Sequence, residues 1–182
     1  MSYTRLTPRP FIDPDNPPTG YLKVGESTDQ DRSRFTPQVW HFYVHQKYLI
    51  ISIKEWVKLD DSDPGEYVIA QYEFPIAGIQ WFVDTIHRFQ LPADDPNAVP
   101  RDAFNVREEI AGETLGVTRG AGFGGQQIPG YSFDNLNRTE HSTVVPNGHR
   151  CQMFKMGDPW LFENGLLDLF QEIASRHESG EF

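Results

Sequence analysis

The sequence predicts an α+β protein of two antiparallel β-sheet-plus-helix units that form a pseudo-dimer, preceded by an extended proline-rich arm. Three observations lead to this fold class. Apolar and polar residues alternate in several runs, which is typical of half-buried strands. Two other stretches, near residues 77–90 and 166–173, carry apolar residues at helical spacing. Prolines are concentrated at the N-terminal end.

The arm is predicted over residues 1–37, because prolines at this density block both helices and sheet ladders. Within it, Gly20–Gly25 is a candidate for a short strand. The prolines concerned are Pro8, Pro10, Pro14, Pro17, Pro18 and Pro37.

The first unit is predicted over residues 38–91. Its elements are the strands Val39–His45, Tyr48–Lys58 and Glu66–Phe74 and a helix over about residues 77–90. Side chains alternate between the two faces of a strand, so the second strand places Leu49, Ile51, Ile53 and Val57 on its core face.

A linker is predicted over residues 92–111, in which Asp102–Ala111 forms a short helix. The second unit, residues 112–176, repeats the plan of the first, and a tail follows over residues 177–182. Its predicted elements are the strands Glu113–Gly122, Tyr131–Arg138 and His149–Met156 and a helix with the apolar stripe Leu166, Leu167, Phe170 and Ile173. The two helices align without a gap and pair Asp84 with Asp168, which indicates an internal repeat with a pseudo-two-fold axis.

Composition limits the kind of protein this is. The 182 residues suffice for one large domain or two small ones, and 38% are hydrophobic. No apolar run approaches the ~20 residues of a membrane span, and the first ten residues lack the apolar centre of a signal peptide. We therefore expect no membrane partner and a cytoplasmic location, or a nuclear one in a eukaryote. Cys151 is the single cysteine, which excludes an internal disulfide.

The formal net charge of −10 argues against indiscriminate binding to duplex DNA, because such binding depends on phosphate neutralisation. A local basic groove on an acidic body stays compatible with it. An acidic protein that binds a basic protein surface, in the manner of a nucleic-acid mimic, is the alternative.

The second strand points to the candidate site, because the face opposite the core interleaves aromatic side chains with lysine. A sheet that stacks unpaired bases and holds phosphates has this mixture. Three of the five lysines of the chain lie in this neighbourhood. The candidate nucleic-acid face is Tyr43, His45, Lys47, Tyr48, Lys54, Trp56, Lys58 and Tyr67. The alternative is that these aromatics are covered by the second unit, the arm or another subunit, as Ile50 and Ile69 on the same face suggest.

Residues 38–90 resemble the positive cofactor four family of single-stranded-DNA-binding transcription coactivators. The resemblance lies in Ile51–Trp56, the acidic turn Asp63–Gly65, the strand ending at Phe74 and the helix opening near Gln80 and Trp81. The wider superfamily includes the Pur-alpha-like and Whirly proteins, which combine four-stranded sheets with a helix. They work as dimers or pseudo-dimers and bind single strands along the sheet surfaces.

The resemblance implies that Lys54 takes the basic strand position of this family and that Trp56 takes one of two adjacent aromatic positions. Val57 occupies the second aromatic position, and Lys47 is the main basic residue of the β-turn.

The glycine-rich run Arg119–Gly125 is a second candidate contact. Arg119 and Phe123 form a single Arg-Gly-aromatic element of the kind that tracks single strands. A mobile hairpin loop is the alternative explanation for the same glycines.

No enzyme is predicted, because the chain has no nucleophile elbow, no HExxH and no phosphate-binding Walker loop. We expect no cofactor and no metal, and the acidic turn with Asp60, Asp61 and Asp63 is interpreted as solvated. The first hypothesis is a non-enzymatic protein that binds single-stranded DNA or RNA and acts in transcription or replication together with other proteins of those processes. The second is an acidic protein-interaction module, for instance of a phage or mobile element, that binds a polymerase or a host defence protein. Uncovered sheet edges would also allow a homodimer.

Overall fold

The computed structural model of the chain describes residues 3–30, 37–58, 62–125, 127–145 and 148–182. These residues form an α+β structure with two four-stranded antiparallel sheets, each followed by an α-helix. The first sheet consists of β1 (Leu22–Asp29), β2 (Gln38–His45), β3 (Tyr48–Val57) and β4 (Glu66–Pro75), and α1 (Gly78–Gln90) follows it. The second sheet consists of β5 (Asn105–Ile110), β6 (Glu113–Gly120), β7 (Gly130–Thr139) and β8 (Cys151–Gly157), followed by a π-helical turn (Pro159–Glu163) and α2 (Leu166–Glu178).

In each sheet the strands lie side by side in chain order. The alternation in β3 is observed for Leu49, Ile51 and Ile53, which are buried in the core. Val57 was expected on the core face, but it is 36% exposed, because it pairs with Glu66 at the outer end of the sheet, beyond the packed core.

Two predicted elements differ from the structure. The range predicted as an arm contains β1, an eight-residue edge strand that pairs with β2. The candidate short strand Gly20–Gly25 overlaps its first half, but β1 runs on to Asp29. The density of proline suggested the arm, yet no proline stands between Pro18 and Pro37, so nothing prevents a ladder there. The predicted short helix at residues 102–111 is wrong, because Asn105–Ile110 forms β5 and turns into β6 through Ala111 and Gly112, both with positive φ.

The two helices belong to one hydrophobic core that also includes residues of both sheets. The predicted stripe of α1 is buried at Ile79, Phe82, Val83 and Ile86. Helix α1 contacts both β4 and β6, while α2 contacts β1 of the first sheet. The helices also contact each other, and the His87 Nε2 and Gln171 Nε2 atoms are 3.3 Å apart. Helix α1 therefore packs against strands of both sheets, and α2 packs against a strand of the sheet that does not precede it.

A buried polar network joins the sheets where β4 meets β7. The Arg138 guanidinium donates to both carboxylate oxygens of Glu113, each at 2.8 Å, and to Glu73 Oε2 at 2.7 Å. Asn135 Nδ2 donates to Glu113 Oε2 and to the Glu73 carbonyl. Burial lowers the pKa of Arg138, but the two carboxylates outweigh it and raise the pKa above its ordinary value. The network keeps both buried carboxylates paired.

Residues 141–143 extend the first sheet along β4. The Gln71 amide donates to the His141 carbonyl at 2.9 Å, and the Thr143 amide donates to the Ile69 carbonyl at 2.9 Å. The pairing is antiparallel, with Ala70 opposite Ser142. A segment that follows β7 thereby covers the middle of this edge of the first sheet.

Candidate functional site

The predicted nucleic-acid face lies on the outer face of the first sheet, which we define as the side of β2, β3 and β4 opposite the core. Residues 9–21, called the N-terminal segment below, cover the middle of this face. Ile12 of the segment is 1% exposed and packs with Tyr43 and Ile50 in a small apolar cluster of their own. The predicted face is therefore divided into a covered part and an exposed part.

Tyr43 belongs to the covered part. Its side chain has no accessible surface, and its hydroxyl donates to the Pro14 carbonyl at 2.8 Å. Burial and the nearby carboxylates, chiefly Asp15, raise the pKa of Tyr43. A base cannot reach this ring while the N-terminal segment is in place.

Lys54 is held by the same segment. Its Nζ donates to Asp13 Oδ2 at 3.0 Å and to Asp15 Oδ2 at 2.9 Å. The hydrogen bonds to Asp15 and then to Asp13 raise the pKa of Lys54, so the side chain stays cationic. The cation predicted for phosphate binding is thus paired with two carboxylates of its own chain.

Two ring stacks hold the segment at either end. The Tyr21 ring lies 4.2 Å from the His45 ring at an interplanar angle of 9°. The Phe11 ring lies 3.8 Å from the His141 ring at 7°. His45 was a predicted site residue, whereas the sequence reasoning did not select Phe11, Tyr21 or His141.

Tyr48 is directed into the network between the sheets. Its hydroxyl donates to Glu113 Oε1 at 2.6 Å, and the guanidinium groups of Arg9 and Arg138 lie over its ring at 4.1 and 4.8 Å. Burial, followed by the hydrogen bond to Glu113, raises the pKa of Tyr48. Two cations of the chain therefore already contact this ring.

Trp56 and Tyr67 form the exposed part of the face. They are 56% and 62% exposed, and their rings meet edge to face at 4.9 Å and 74°. Lys54 Nζ lies 5.3 Å from the centre of the Tyr67 ring. Gly65 lies against the Trp56 indole, since a Cβ there would be 2.7 Å from three atoms of that ring. The indole is thereby held in position with much of its surface open to solvent.

A cleft of about 510 Å³ adjoins Trp56. Three carboxylates line it, from Asp15, Glu26 and Glu55, together with His41 and Lys54. Burial lowers the pKa of His41, as does Lys23, and these effects exceed the opposite effect of Glu26. The cleft therefore combines an aromatic wall with an excess of negative charge.

Lys47 and Lys58 are both exposed. Lys47 lies in the β2–β3 turn, where its carbonyl accepts a hydrogen bond from the Ile76 amide. Lys58 directly follows β3, two residues beyond Trp56.

Arg119 lies in β6 of the second sheet and Phe123 in the connection between β6 and β7, apart from the other predicted residues. Arg119 is paired with Asp158, with Nη2 donating to Oδ2 at 2.8 Å, and its guanidinium lies 4.5 Å from the Tyr131 ring centre. The ion pair raises the pKa of Arg119. The Phe123 ring packs over Gly120, and Lys155 Nζ is 5.6 Å from its centre.

The contacts of the N-terminal segment have a counterpart in the sequence that was not recognised as part of the site. Asp13-Pro14-Asp15 carries two carboxylates that match Lys54, and Phe11 and Tyr21 flank it with rings. Pairing residues about 40 positions apart requires the tertiary structure, because no local periodicity relates them.

Other candidate chemistry is limited in the part of the chain that the structure describes. There, no group of three or more His, Cys, Asp or Glu side chains could hold a metal ion. None of the helices found there is long and apolar enough to cross a membrane. Cys151 is half-buried, and burial raises the pKa of its thiol. Of the predicted acidic turn, Asp60 and Asp61 lie outside the described residues.

The predicted tail contacts its own helix. Arg176 pairs with Glu181, with Nη2 donating to Oε1 at 2.6 Å, and its guanidinium lies 5.2 Å from the Phe182 ring centre. Phe182 also packs against the main core.

Comparison with known proteins adds no further information about the site. No protein-family model matches the chain, and searches of curated proteins and of solved structures find no significant match.

Proposed function

We propose that this chain is a non-enzymatic protein that binds single-stranded DNA or RNA and acts in transcription or replication. The observation that carries the proposal is the Trp56–Tyr67 pair, which is exposed at one end of a sheet face and has Lys54 beside it. Stacking on one aromatic ring contributes roughly 1–3 kcal/mol per base, so two exposed rings give a useful platform. Lys47 and Lys58 add positive charge at the two ends of β3.

The proposal includes a pseudo-dimer, in which the two sheet-plus-helix units are related by a pseudo-two-fold axis. His87 and Gln171, whose side chains meet between the helices, are 84 positions apart. The gap-free alignment of the two helices pairs Asp84 with Asp168, which is the same displacement. A contact between equivalent residues is expected at a two-fold axis. A chain with this symmetry presents two outer sheet faces, of which the first carries the Trp56–Tyr67 pair.

A second candidate function is supported by the cleft beside Trp56. The three carboxylates of Asp15, Glu26 and Glu55 outnumber the two lysines that pair with them, Lys54 and Lys23. An indole wall also suits a guanidinium or ammonium group. With the net charge of −10, this favours binding of a cationic protein segment.

One titration separates the two functions. Fluorescence anisotropy of a labelled strand of ~20 nucleotides and of a labelled arginine-rich peptide is measured at two salt concentrations. For the first function, the strand binds at low salt, binding weakens with salt, and Trp56→Ala lowers the affinity about tenfold, which is the loss of one stacked base. Phe104→Ala, which removes an exposed ring outside the site, is the matched control and should leave the affinity unchanged.

Binding of the peptide alone, with loss on Trp56→Ala, would support the second function and reject the first. If the strand binds equally well to wild type and Trp56→Ala, the Trp56–Tyr67 pair is not its platform.

A further inference from the structure

We infer that the N-terminal segment occupies the nucleic-acid face of the first sheet as an intramolecular competitor of a single strand. The inference rests on the proposed function. It adds that the binding surface extends beyond the Trp56–Tyr67 pair and that the segment regulates access to it. In this arrangement the exposed Trp56–Tyr67 pair is the accessible end of a longer site, and the rest lies beneath residues 9–21.

The segment presents groups of the same two kinds as a single strand, namely flat aromatic rings and anions. Phe11 and Tyr21 lie face to face on the imidazoles of His141 and His45, at 3.8 and 4.2 Å. Between them along the chain, the carboxylates of Asp13 and Asp15 bind Lys54 at 3.0 and 2.9 Å. Stacked rings with intervening anionic groups on a cation are also what unpaired bases and phosphates provide.

The segment is attached in a way that permits release. Its prolines, among them Pro10 and Pro14, lack the amide that a sheet ladder requires, so it cannot become a strand of the first sheet. It is held mostly through side chains instead. The Ile12 amide donates a hydrogen bond to Gln71 Oε1 at 3.1 Å, and the Arg9 amide donates one to Glu73 Oε1 at 2.8 Å. The Tyr43 hydroxyl donates to the Pro14 carbonyl.

Release would uncover the groups that a strand needs. The Tyr43 ring would become accessible, and Lys54 would be separated from the carboxylates of the segment. The His45 ring would no longer be stacked on Tyr21. Because the segment is tethered beside its site, its effective concentration is high, and a strand binds only in proportion to the open fraction. Changes that loosen the segment therefore raise the apparent affinity for a strand.

The test compares strand binding by loosened and intact chains. In the double variant Asp13→Asn and Asp15→Asn, Lys54 loses both anionic partners, and we expect the strand of ~20 nucleotides to bind at least tenfold tighter. The variant also removes two negative charges, so a variant with Glu163→Gln and Glu178→Gln, both exposed on other elements, is the matched control. Ile12→Ala loosens the segment without any change of charge and should also increase the affinity.

Hydrogen exchange gives a second readout on the wild-type chain. The Ile12 amide is bonded to Gln71 while the segment is in place, so its exchange rate should rise when the strand is saturating. The folded state of each variant is checked by circular dichroism.

The outcomes separate the inference from the function on which it rests. Tighter binding by both loosened variants, with the charge control close to wild type, supports the competitor. Equal affinity of wild type and loosened variants, with no change in Ile12 exchange, overturns the competitor and leaves the proposed function standing. If the double variant Asp13→Asn and Asp15→Asn gains no more affinity for the strand than the charge control does, the competitor is overturned as well. No binding by any chain at low salt rejects both.

Discussion

At the scale of single residues, Glu113 shows how a charge is kept ionised inside this protein. It is 2% exposed, and its carboxylate accepts hydrogen bonds from Arg138, Tyr48 and Asn135. Burial raises the pKa of Glu113, but these hydrogen bonds and the Arg138 charge outweigh burial, and the net pKa lies below its ordinary value of 4.5. The ionised form is therefore part of the stable fold.

We expect Glu113→Gln to lower the free energy of unfolding by about 3 kcal/mol at pH 7, because one buried partner of Arg138 loses its charge. A lowered pKa stabilises the folded state above the unfolded-state pKa, and this stabilisation is lost as the pH falls through the folded pKa. The difference between wild type and variant should therefore shrink below about pH 4.5. Urea denaturation from pH 7 to pH 3 measures it, with the exposed Glu109→Gln as control. A difference that stays constant over this range would contradict the prediction.

The sequence predicted which side of a strand each side chain lies on better than it predicted what each side chain contacts. Alternation correctly placed Leu49, Ile51 and Ile53 in the core and Lys54 on the opposite face. The arm was one of the three possible covers named for this face, and residues 9–21 of it do lie over Tyr43 and Lys54. The sequence could not decide among the three covers, because the contacts join β2 and β3 to a segment distant in the sequence. Two-residue periodicity specifies a side of the strand and carries no information on what lies above it.

At the scale of elements, the glycine-rich connection between β6 and β7 is explained by close packing. Gly124 is buried, and a Cβ there would lie 2.6 Å from the Gly157 Cα atom. At Gly130, a Cβ would overlap the Met156 carbonyl oxygen and lie 2.9 Å from its carbon. These glycines allow backbone to approach backbone where β7 and β8 meet.

Gly130→Ala should destabilise the protein by roughly 1–3 kcal/mol, because the neighbouring backbone must shift to admit the methyl group. Gly116→Ala is the matched control: Gly116 is also buried in a strand of the second sheet, and a Cβ there would stay 3.4 Å from the Asp134 Cβ. Thermal denaturation of the two variants compares them. Equal midpoints would show that this approach of the two strands does not require glycine.

Elements with a clear hydrophobic period were predicted well, and β5 was not. The α1 stripe and the strands β2 to β4 were predicted within about two residues of their observed ends. β5 has only Val106 and Ile110 as apolar residues, and they are four positions apart, a spacing that also fits a helix. Pairing with β6 decides its conformation, which local sequence does not report.

At the scale of the whole molecule, the exchange of helix contacts makes the two units dependent on each other. Leu115 of β6 occupies the place where a Gly78 side chain of α1 would lie, and Leu169 of α2 packs in the same way on Gly25 of β1. Neither sheet can bury its inner face when the other unit is removed, because both contribute to one core.

We therefore expect residues 1–93 and 94–182, expressed separately, to be unfolded alone and to assemble when mixed. The division falls in the connection between α1 and β5, outside all helices and strands. Circular dichroism and proton NMR of each fragment and of the mixture test this, with the intact chain as reference. A folded spectrum from either fragment alone would show that its core is sufficient.

The strand pairing at residues 141–143 has a consequence for how copies of this chain could associate. Residues 141–143 occupy part of the β4 edge, and β1 and β5 are among the strands at the other edges of the two sheets. Joining β1 to β1, or β5 to β5, closes a symmetric pair and leaves no growing end at that contact. Joining β1 of one copy to β5 of the next leaves both kinds of edge open at the ends, so the assembly continues as a filament. The choice of edge thus decides between a finite particle and an open polymer.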